Sequence, residues 1–459
     1  MKKVVIIIQL MAIFLVGCFS VDTLKSSNRK GKYDEITIVI TDYGYKKTDY
    51  YKGVLKEYIH DFAKQNGIEV RFYIINAADS YSYEKKLSSI LHNKDGPTLL
   101  LVPLGSEYKK FIDRGIALNV KDRIPNLNKI YEGLLAEPDY FVPFGMSYLP
   151  MALNKEVFEE LEIKEPIFDN WKKEDYLKIR KMWLEKNPEI YTFQYFSLLD
   201  YKLHDLDILD SSNKVIKLDN DKVKKCLKDI RAEIFSGRYI LEKDYTYENF
   251  YKMHFEKSSK EYKKAIQKVI NNAEKRLWGS YIWYNPLKTF YRDEEIDIQN
   301  KIILPNVVDS SPLKVEGFIV NKNGKNQEMG IKFINGLLDD EIQLKMYSDK
   351  FSQYPVNKEI ERLIDELERD NYSSTKLVLI RKYVLKQLRL GKIRPLSDYD
   401  VLYKNIIENL YKDLFKVIFA DKPYTDEEMS KELQKIESKY NMWLNKYNGY
   451  NGTVLVYLF

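Results

Sequence analysis

The sequence predicts an α/β protein of two lobes, and three observations lead there. Apolar, β-branched runs alternate with amphipathic stretches through residues 35–114. The remainder reads as mostly helical with a few short strands. The chain has 459 residues, beyond the roughly 250–300 at which one hydrophobic core stops growing. "EITIVIT" (35–41) is a buried strand by its continuous apolar and β-branched content. Residues 49–66 follow as a helix, with Tyr51, Val54, Leu55, Tyr58, Ile59, Phe62 and Ala63 on one face and Gly67 placed to end it. "IEVRFYII" (68–75) is the next strand, a helix covers 82–93, "TLLLVP" (98–103) is the third strand, and a helix runs over 106–114. Strands separated by helices in this order imply a parallel sheet with right-handed crossovers. Ligands of such sheets bind beyond the carboxyl ends of the strands. Here those ends are Thr41-Asp42-Tyr43, Asn76 onward, and Leu104-Gly105-Ser106.

Later elements are predicted at 302–305 and 317–321 (strands) and at 326–347 (a helix burying Met329, Phe333, Ile334, Leu337 and Leu338). A last long helix opens on Thr425-Asp426-Glu427-Glu428, a capping box, and carries Met429, Leu433, Ile436, Tyr440 and Trp443 as its apolar stripe.

The net charge of +6 is small for this length, and no dense basic block stands apart from acidic neighbours, which argues against a nucleic-acid partner. Two cysteines occur, Cys18 and Cys226. Lys2 and Lys3 precede an apolar run of 14 residues, "VVIIIQLMAIFLVG". A helix crossing a bilayer needs about 20, so residues 1–17 read as a signal peptide. Leu15-Val16-Gly17-Cys18 resembles the lipobox of bacterial lipoproteins, which implies a diacylglyceryl group on the Cys18 thiol and cleavage before it. Residues 18–33 then form the lipidated cysteine and a polar tether. With Cys18 lipidated, no intramolecular disulfide is left to Cys226.

Three stretches carry a wider resemblance. "DYFVPFGMSYLPMALNKEVFEELEI" (139–163) with Trp171, "EGFIVNKNGKNQEMGIKFINGLLDDEIQ" (316–343), and "YPVNKEI" (354–360) with "YTDEEMSKELQKIESKYNMW" (424–443) fall in one order. Together with "SEYKKFIDRGIALNVKDRI" (106–124) they resemble the extracellular solute-binding proteins, family 1, of ATP-binding-cassette importers. The sequence departs from that pattern at Pro97-Thr98 (usually Pro-Asp), Leu153-Asn154-Lys155 (usually Tyr-Asn-Lys) and Gly279-Ser280-Tyr281 (often Gly-x-Trp).

The resemblance implies a two-lobe, type II periplasmic-binding-protein-like fold with a ligand cleft at the hinge. It divides the chain into a first lobe (34–145), a second lobe (146–305), a return to the first (306–355), and a C-terminal helical region (356–459) packing on both lobes. It also implies a monomer that delivers a small polar solute, most often a carbohydrate, to importer membrane subunits. Carried over position by position, the ligand contacts are Asp42, Tyr43, Ser106, Glu107, Ser147, Tyr148 and Tyr281, with Trp278 and Trp283 beside the last. Aromatic faces suit the C–H faces of sugar rings, while carboxylates and hydroxyls suit their hydroxyl groups.

Other readings of these residues stay open. Asp42 could hold a turn amide, Ser106 could cap its helix, and "WGSYIWYNPLKTFY" (278–291) could be packing in a chain with 37 tyrosines. "HDLDILD" (204–210) gathers one histidine and three carboxylates but reads better as a strand running into a hairpin turn at Asp210-Ser-Ser-Asn213 than as a metal site. Cys226 shares a helical face with Val223, Leu227 and Ile230 and reads as a small hydrophobe. No hydrolase, zinc-protease or phosphate-loop motif is present, so neither an enzyme nor a cofactor is expected. A ligand-sensing or adaptor lipoprotein of the same fold is the alternative. A glycoside hydrolase, more distant, would need two cleft carboxylates about 5–9.5 Å apart.

Overall fold

The computed structural model describes residues 35–135, 137–186, 206, 208–210, 215–235, 246–256, 258–263, 277, 290–291, 294–295, 300–307, 313–348, 354–370, 375–393, 395 and 398–449. Twelve strands are formed among them. In chain order these are β1 (Glu35–Ile40), β2 (Glu69–Tyr73), β3 (Leu99–Val102), β4 (Val142–Tyr148), β5 (Met151–Asn154) and β6 (Leu209–Asp210). They continue with β7 (Val215–Ile216), β8 (Phe290–Tyr291), β9 (Glu294–Glu295), β10 (Lys301–Leu304), β11 (Leu313–Val320) and β12 (Tyr354–Pro355).

The three predicted strands form the parallel part of a six-stranded sheet of order β12-β4-β11-β3-β1-β2. β3 is buried along its whole length and β1 from Ile36 to Ile40, as continuous apolar runs covered on both faces must be. The helix Gly53–Asn66 sets Leu55, Tyr58, Ile59 and Phe62 into this core and ends on Gly67, whose φ of 64° is the left-handed cap that glycine adopts without strain. β11 returns late in the chain and inserts antiparallel between β3 and β4. It joins residues more than 200 positions apart, and the Tyr58 hydroxyl donates to Phe333 O at 2.6 Å from the helix that follows it.

Two predicted helices are broken. The first divides into Lys47–Tyr50 and Gly53–Asn66, because Lys52 is extended. The helix predicted over 326–347 divides into Gln327–Leu337 and Asp340–Ser348.

The chain leaves the sheet at Leu149-Pro150 and enters an antiparallel ribbon of β5 and β10. It comes back through Pro305-Asn306 to β11. The two passages are tied together. The Asn306 backbone N–H donates to the Tyr148 hydroxyl at 2.9 Å, and Asn306 Nδ2 donates to Leu149 O at 3.0 Å.

The ribbon alternates with period two, as a strand with two different neighbours should. Met151, Leu153, Ile302 and Leu304 face a second core with Val157, Phe158, Trp171, Tyr176, Ile179 and Trp183. Ala152 and Ile303 face the first core. Trp171 is buried there and its Nε1–H donates to Pro305 O at 3.1 Å. Trp171→Phe keeps an aromatic ring but loses the N–H and orphans that carbonyl, so it should lower the urea-unfolding free energy by about 1–3 kcal/mol. Chemical denaturation followed by circular dichroism measures this.

The C-terminal helices divide. Glu361–Asp370 and Thr375–Arg389 join the first core through Ile364, Ile380, Val384, Leu385 and Leu388. Asp398–Ile418 and Asp426–Gly449 build a third core with Ile208, Ile216, Leu218, Val223, Cys226, Leu227 and Ile230. The predicted capping box forms, with Thr425 N–H donating to Glu428 Oε2 at 2.8 Å and Glu428 N–H donating to Thr425 Oγ1 at 3.3 Å. Cys226 is buried on the apolar face expected of it. β6 and β7 pair antiparallel, Leu209 with Ile216 and Asp210 with Val215, and residues 211–214 lie outside the described residues. His204, Asp205 and Asp207 lie outside the described residues.

Candidate functional site

The carboxyl ends of β1, β3 and β4 lie on one edge of the sheet, because β4 runs antiparallel to β11 and β11 antiparallel to β3. Asp42 and Ser106 meet on this edge. Ser106 Oγ donates to Asp42 Oδ2 at 2.8 Å, and both residues are half-buried. The helix predicted from Ser106 starts only after Tyr108, at Lys109–Asp113, so the Ser106 side chain holds Asp42 and not the helix end. One bond leaves Asp42 with capacity, since a carboxylate offers about four lone-pair sites.

Tyr43 stands beside them, 44% exposed. Its hydroxyl donates to Ala78 O at 3.3 Å and its ring meets Tyr83 edge-on at 5.8 Å, which fixes an aromatic face next to the carboxylate. Among the described residues, the large exposed hydrophobic side chains that are tyrosine are Tyr43, Tyr45, Tyr73 and Tyr81. Tyr73 ends β2, Tyr81 opens the helix Ser80–His92, and the other two follow β1, so they border one edge. Partial burial pushes the Tyr45 hydroxyl above its ordinary pKa, and the carboxylates of Asp42, Glu316 and Asp49 add to the shift. The phenol is therefore protonated at neutral pH and able to donate.

The turn between Val102 and Ser106 is shaped by Gly105 (φ 71°), whose N–H donates to Val315 O at 3.2 Å. A Cβ there would stand 3.1 Å from Lys314 Cδ, so the Lys314 stem lies over the turn. Lys314 and the buried Glu316 of β11 thus enter the neighbourhood of Asp42 and Ser106 from a strand more than 200 residues away. Sequence reasoning named neither, nor Tyr45, Tyr73 or Tyr81. The signal for the tyrosines was their position just past strand ends; β11 offered none.

The other named residues are placed differently. Glu107 is partly buried, 4.0 Å from Lys110 Nζ. Ser147 and Tyr148 lie on β4 at 2% and 0% exposure. The Tyr148 hydroxyl accepts from the Asn306 backbone N–H and so links the two passages between the sheet and the ribbon. Trp278, Tyr281, Trp283 and Cys18 lie outside the described residues. Among the described residues no group of three or more His, Cys, Asp and Glu is gathered for a metal, and no helix is long and apolar enough to cross a membrane.

A family profile described as bacterial extracellular solute-binding protein matches residues 46–344, about two thirds of the chain. The chain belongs to that family. The match runs from the segment after Asp42 through both hinge passages to the helix Asp340–Ser348. Solved structures agree in fold. A protein from Synechococcus sp. MITs9220, provisionally assigned as an oligosaccharide periplasmic-binding protein, is 11% identical with a TM-score of 0.60, covering 90% of this chain and 99% of its own. AcbH, a bacterial solute receptor with a preference for β-D-galactopyranose, is 12% identical with a TM-score of 0.54 over 89% and 98%. Maltose-bound MalE3 of T. maritima is 14% identical with a TM-score of 0.52 over 88% and 99%. These likenesses establish the two-lobe periplasmic-binding-protein architecture for this solute-binding protein. A curated protein, the regulatory protein RecX of Finegoldia magna, is 26% identical over 163 residues, 35% of this chain and 73% of its own. That similarity is confined to about a third of the solute-binding protein.

Proposed function

We propose that this solute-binding protein captures a carbohydrate between its lobes and hands it to an ATP-binding-cassette importer, binding the sugar without transforming it. The observation that carries this reading is the Asp42–Ser106 pair at the ends of two parallel strands, bordered by the exposed tyrosines 43, 45, 73 and 81. A carboxylate and a hydroxyl offer acceptors and donors to sugar hydroxyls, and phenol rings offer flat amphipathic faces. The structural neighbours named for maltose and β-D-galactopyranose support the same ligand class. From the second lobe we assign Tyr281, with Trp278 and Trp283, to the opposite wall, on the sequence alone. A diacylglyceryl group on Cys18 keeps the receptor on the outer face of the cell membrane, next to its importer.

Thermal melts of the chain from residue 19, run against mono- and oligosaccharides, amino acids, polyamines and short peptides, test the ligand class. A solute at 100 times its dissociation constant adds about 2.7 kcal/mol, enough to raise the midpoint by some degrees. A shift confined to one sugar class is expected. A shift with a different solute and with no sugar would overturn the carbohydrate assignment.

A further inference from the structure

We propose that Glu316 is a positioning residue of the cleft, its buried carboxylate holding the Tyr45–Tyr50 pair in place at the sheet edge. The return strand β11 brings it there. Gly317 pairs with Val102, the last residue of β3, so Glu316 stands one residue past that strand's end, on the edge that carries Asp42 and Ser106. On its other side it faces Gly145 of β4, which has no side chain to cover it. Glu316 is nonetheless 1% exposed, and Tyr45 and Tyr50 lie within reach of its charge. Their rings are 6.1 Å apart at 36°; Tyr50 is buried and Tyr45 is 43% exposed.

The two tyrosines form a row between two carboxylates. After burial, the charge acting most strongly on the Tyr50 hydroxyl is that of Glu316; on Tyr45 it is that of Asp42, with Glu316 next. Asp49, the third acid acting on the pair, accepts from the Lys46 backbone N–H at 2.6 Å. Lys314, two residues from Glu316, lays its stem over the Gly105 turn. Desolvating a carboxylate costs several kcal/mol, and an apolar side chain of similar volume in its place is often neutral or stabilising. Packing of β11 therefore calls for leucine at 316. What an acid does there that leucine cannot is attract and orient hydroxyl groups. Tyr50 is buried away from solute, but Tyr45 is not. A carboxylate that steadies the pair presets the Tyr45 phenol before any solute arrives and spares the cost of ordering it on binding. Glu316, buried, acts through the tyrosines and not by touching the solute. The inference rests on this edge being the cleft, and it holds whichever solute the cleft takes.

The test needs no ligand. The chain from residue 19 is made with 3-fluorotyrosine at position 45, whose fluorine brings the ionisation of the phenol to milder pH, and its fluorine resonance is followed against pH. Glu316→Gln and Glu316→Leu remove the charge, and Glu316→Asp keeps it. In both neutral variants the Tyr45 midpoint should fall and the resonance at neutral pH should move, as for a phenol released from its setting. Glu316→Asp should stay nearer to the wild type than to either. Glu316→Leu should melt no lower than the wild type, which separates positioning from a part in holding the fold. A midpoint or a neutral-pH resonance that is unchanged in both neutral variants overturns the inference. So does a midpoint that falls as far in Glu316→Asp as in Glu316→Leu, or a melting temperature several degrees lower in Glu316→Leu. Circular dichroism melts check that each variant is folded, and if Glu316→Gln fails this, Glu316→Leu decides.

Discussion

Glu368→Ala lowers the stability of the first lobe by about 3–5 kcal/mol, the cost of stripping a buried ion of its partner. Glu368 and Arg381 are each 3% exposed at the side chain. Arg381 Nε and Nη2 donate to the two carboxylate oxygens at 2.8 Å each, and the Tyr347 hydroxyl adds a third bond to Oε1 at 2.6 Å. Burial alone would lower the Arg381 pKa, but the hydrogen bonds and charge of Glu368 outweigh it and raise the value. Removing the carboxylate reverses that balance: among the described residues, a guanidinium stays desolvated with the half-exposed Asp365 left as the anion beside it. The pair also pins the helix Thr375–Arg389 to Glu361–Asp370. Replacing both partners, Glu368→Leu with Arg381→Met, should recover most of the stability, because matched apolar groups avoid the desolvation cost. Urea unfolding of the wild type, the single and the double variant decides it. A single variant within about 1 kcal/mol of wild type would mean the pair is solvated.

What the sequence made legible follows the range of the interactions concerned. β1 and β3 were readable because a strand covered on both faces must be apolar throughout, a local property. The helix face Leu55, Tyr58, Ile59 and Phe62 was readable from its period, and its end from Gly67. The break in the helix predicted over 326–347 was not, because its support comes from afar. Asn126 Nδ2 reaches Asn335 O and Asp339 Oδ1, and Asn357 Nδ2 takes Leu338 O, so carbonyls freed at the break are satisfied from two other segments. The site shows the same division. Asp42 and Ser106 were each found as strand ends, but their bond spans 64 positions, and a rule about strand ends cannot say which two will touch. Tyr148 was named from its place before Asn154, and its hydroxyl accepts a bond from the backbone N–H of Asn306, 158 residues on. Nothing near Tyr148 in the chain announces that partner.

Asp42→Ala weakens solute binding by about 10- to 150-fold, as expected when one hydrogen-bonding ion is taken from a ligand cleft. The argument runs through Ser106. Its hydroxyl holds Asp42 Oδ2 at 2.8 Å, which fixes the carboxylate rotamer on an edge where a free side chain would lose entropy on binding. In the proposed site, the remaining acceptor sites of Asp42 take a solute hydroxyl, and hydrogen bonds to an ion are about twice as strong as neutral ones. Ser106→Ala removes the orienting bond and keeps the charge, so its effect should be smaller, about 2- to 12-fold. Asp42→Asn keeps an acceptor for Ser106 and loses the charge, and should fall between the two. Asp42 is partly exposed and outside the apolar cores, so the melting temperature without solute should hardly move. Calorimetric titration of the three variants with the solute found in the thermal panel measures the series. Full affinity in Asp42→Ala would remove the strand-end carboxylate from the site and leave the tyrosines to carry recognition. The predicted order, Asp42→Ala weaker than Asp42→Asn weaker than Ser106→Ala, would show that the carboxylate binds and the serine aims it.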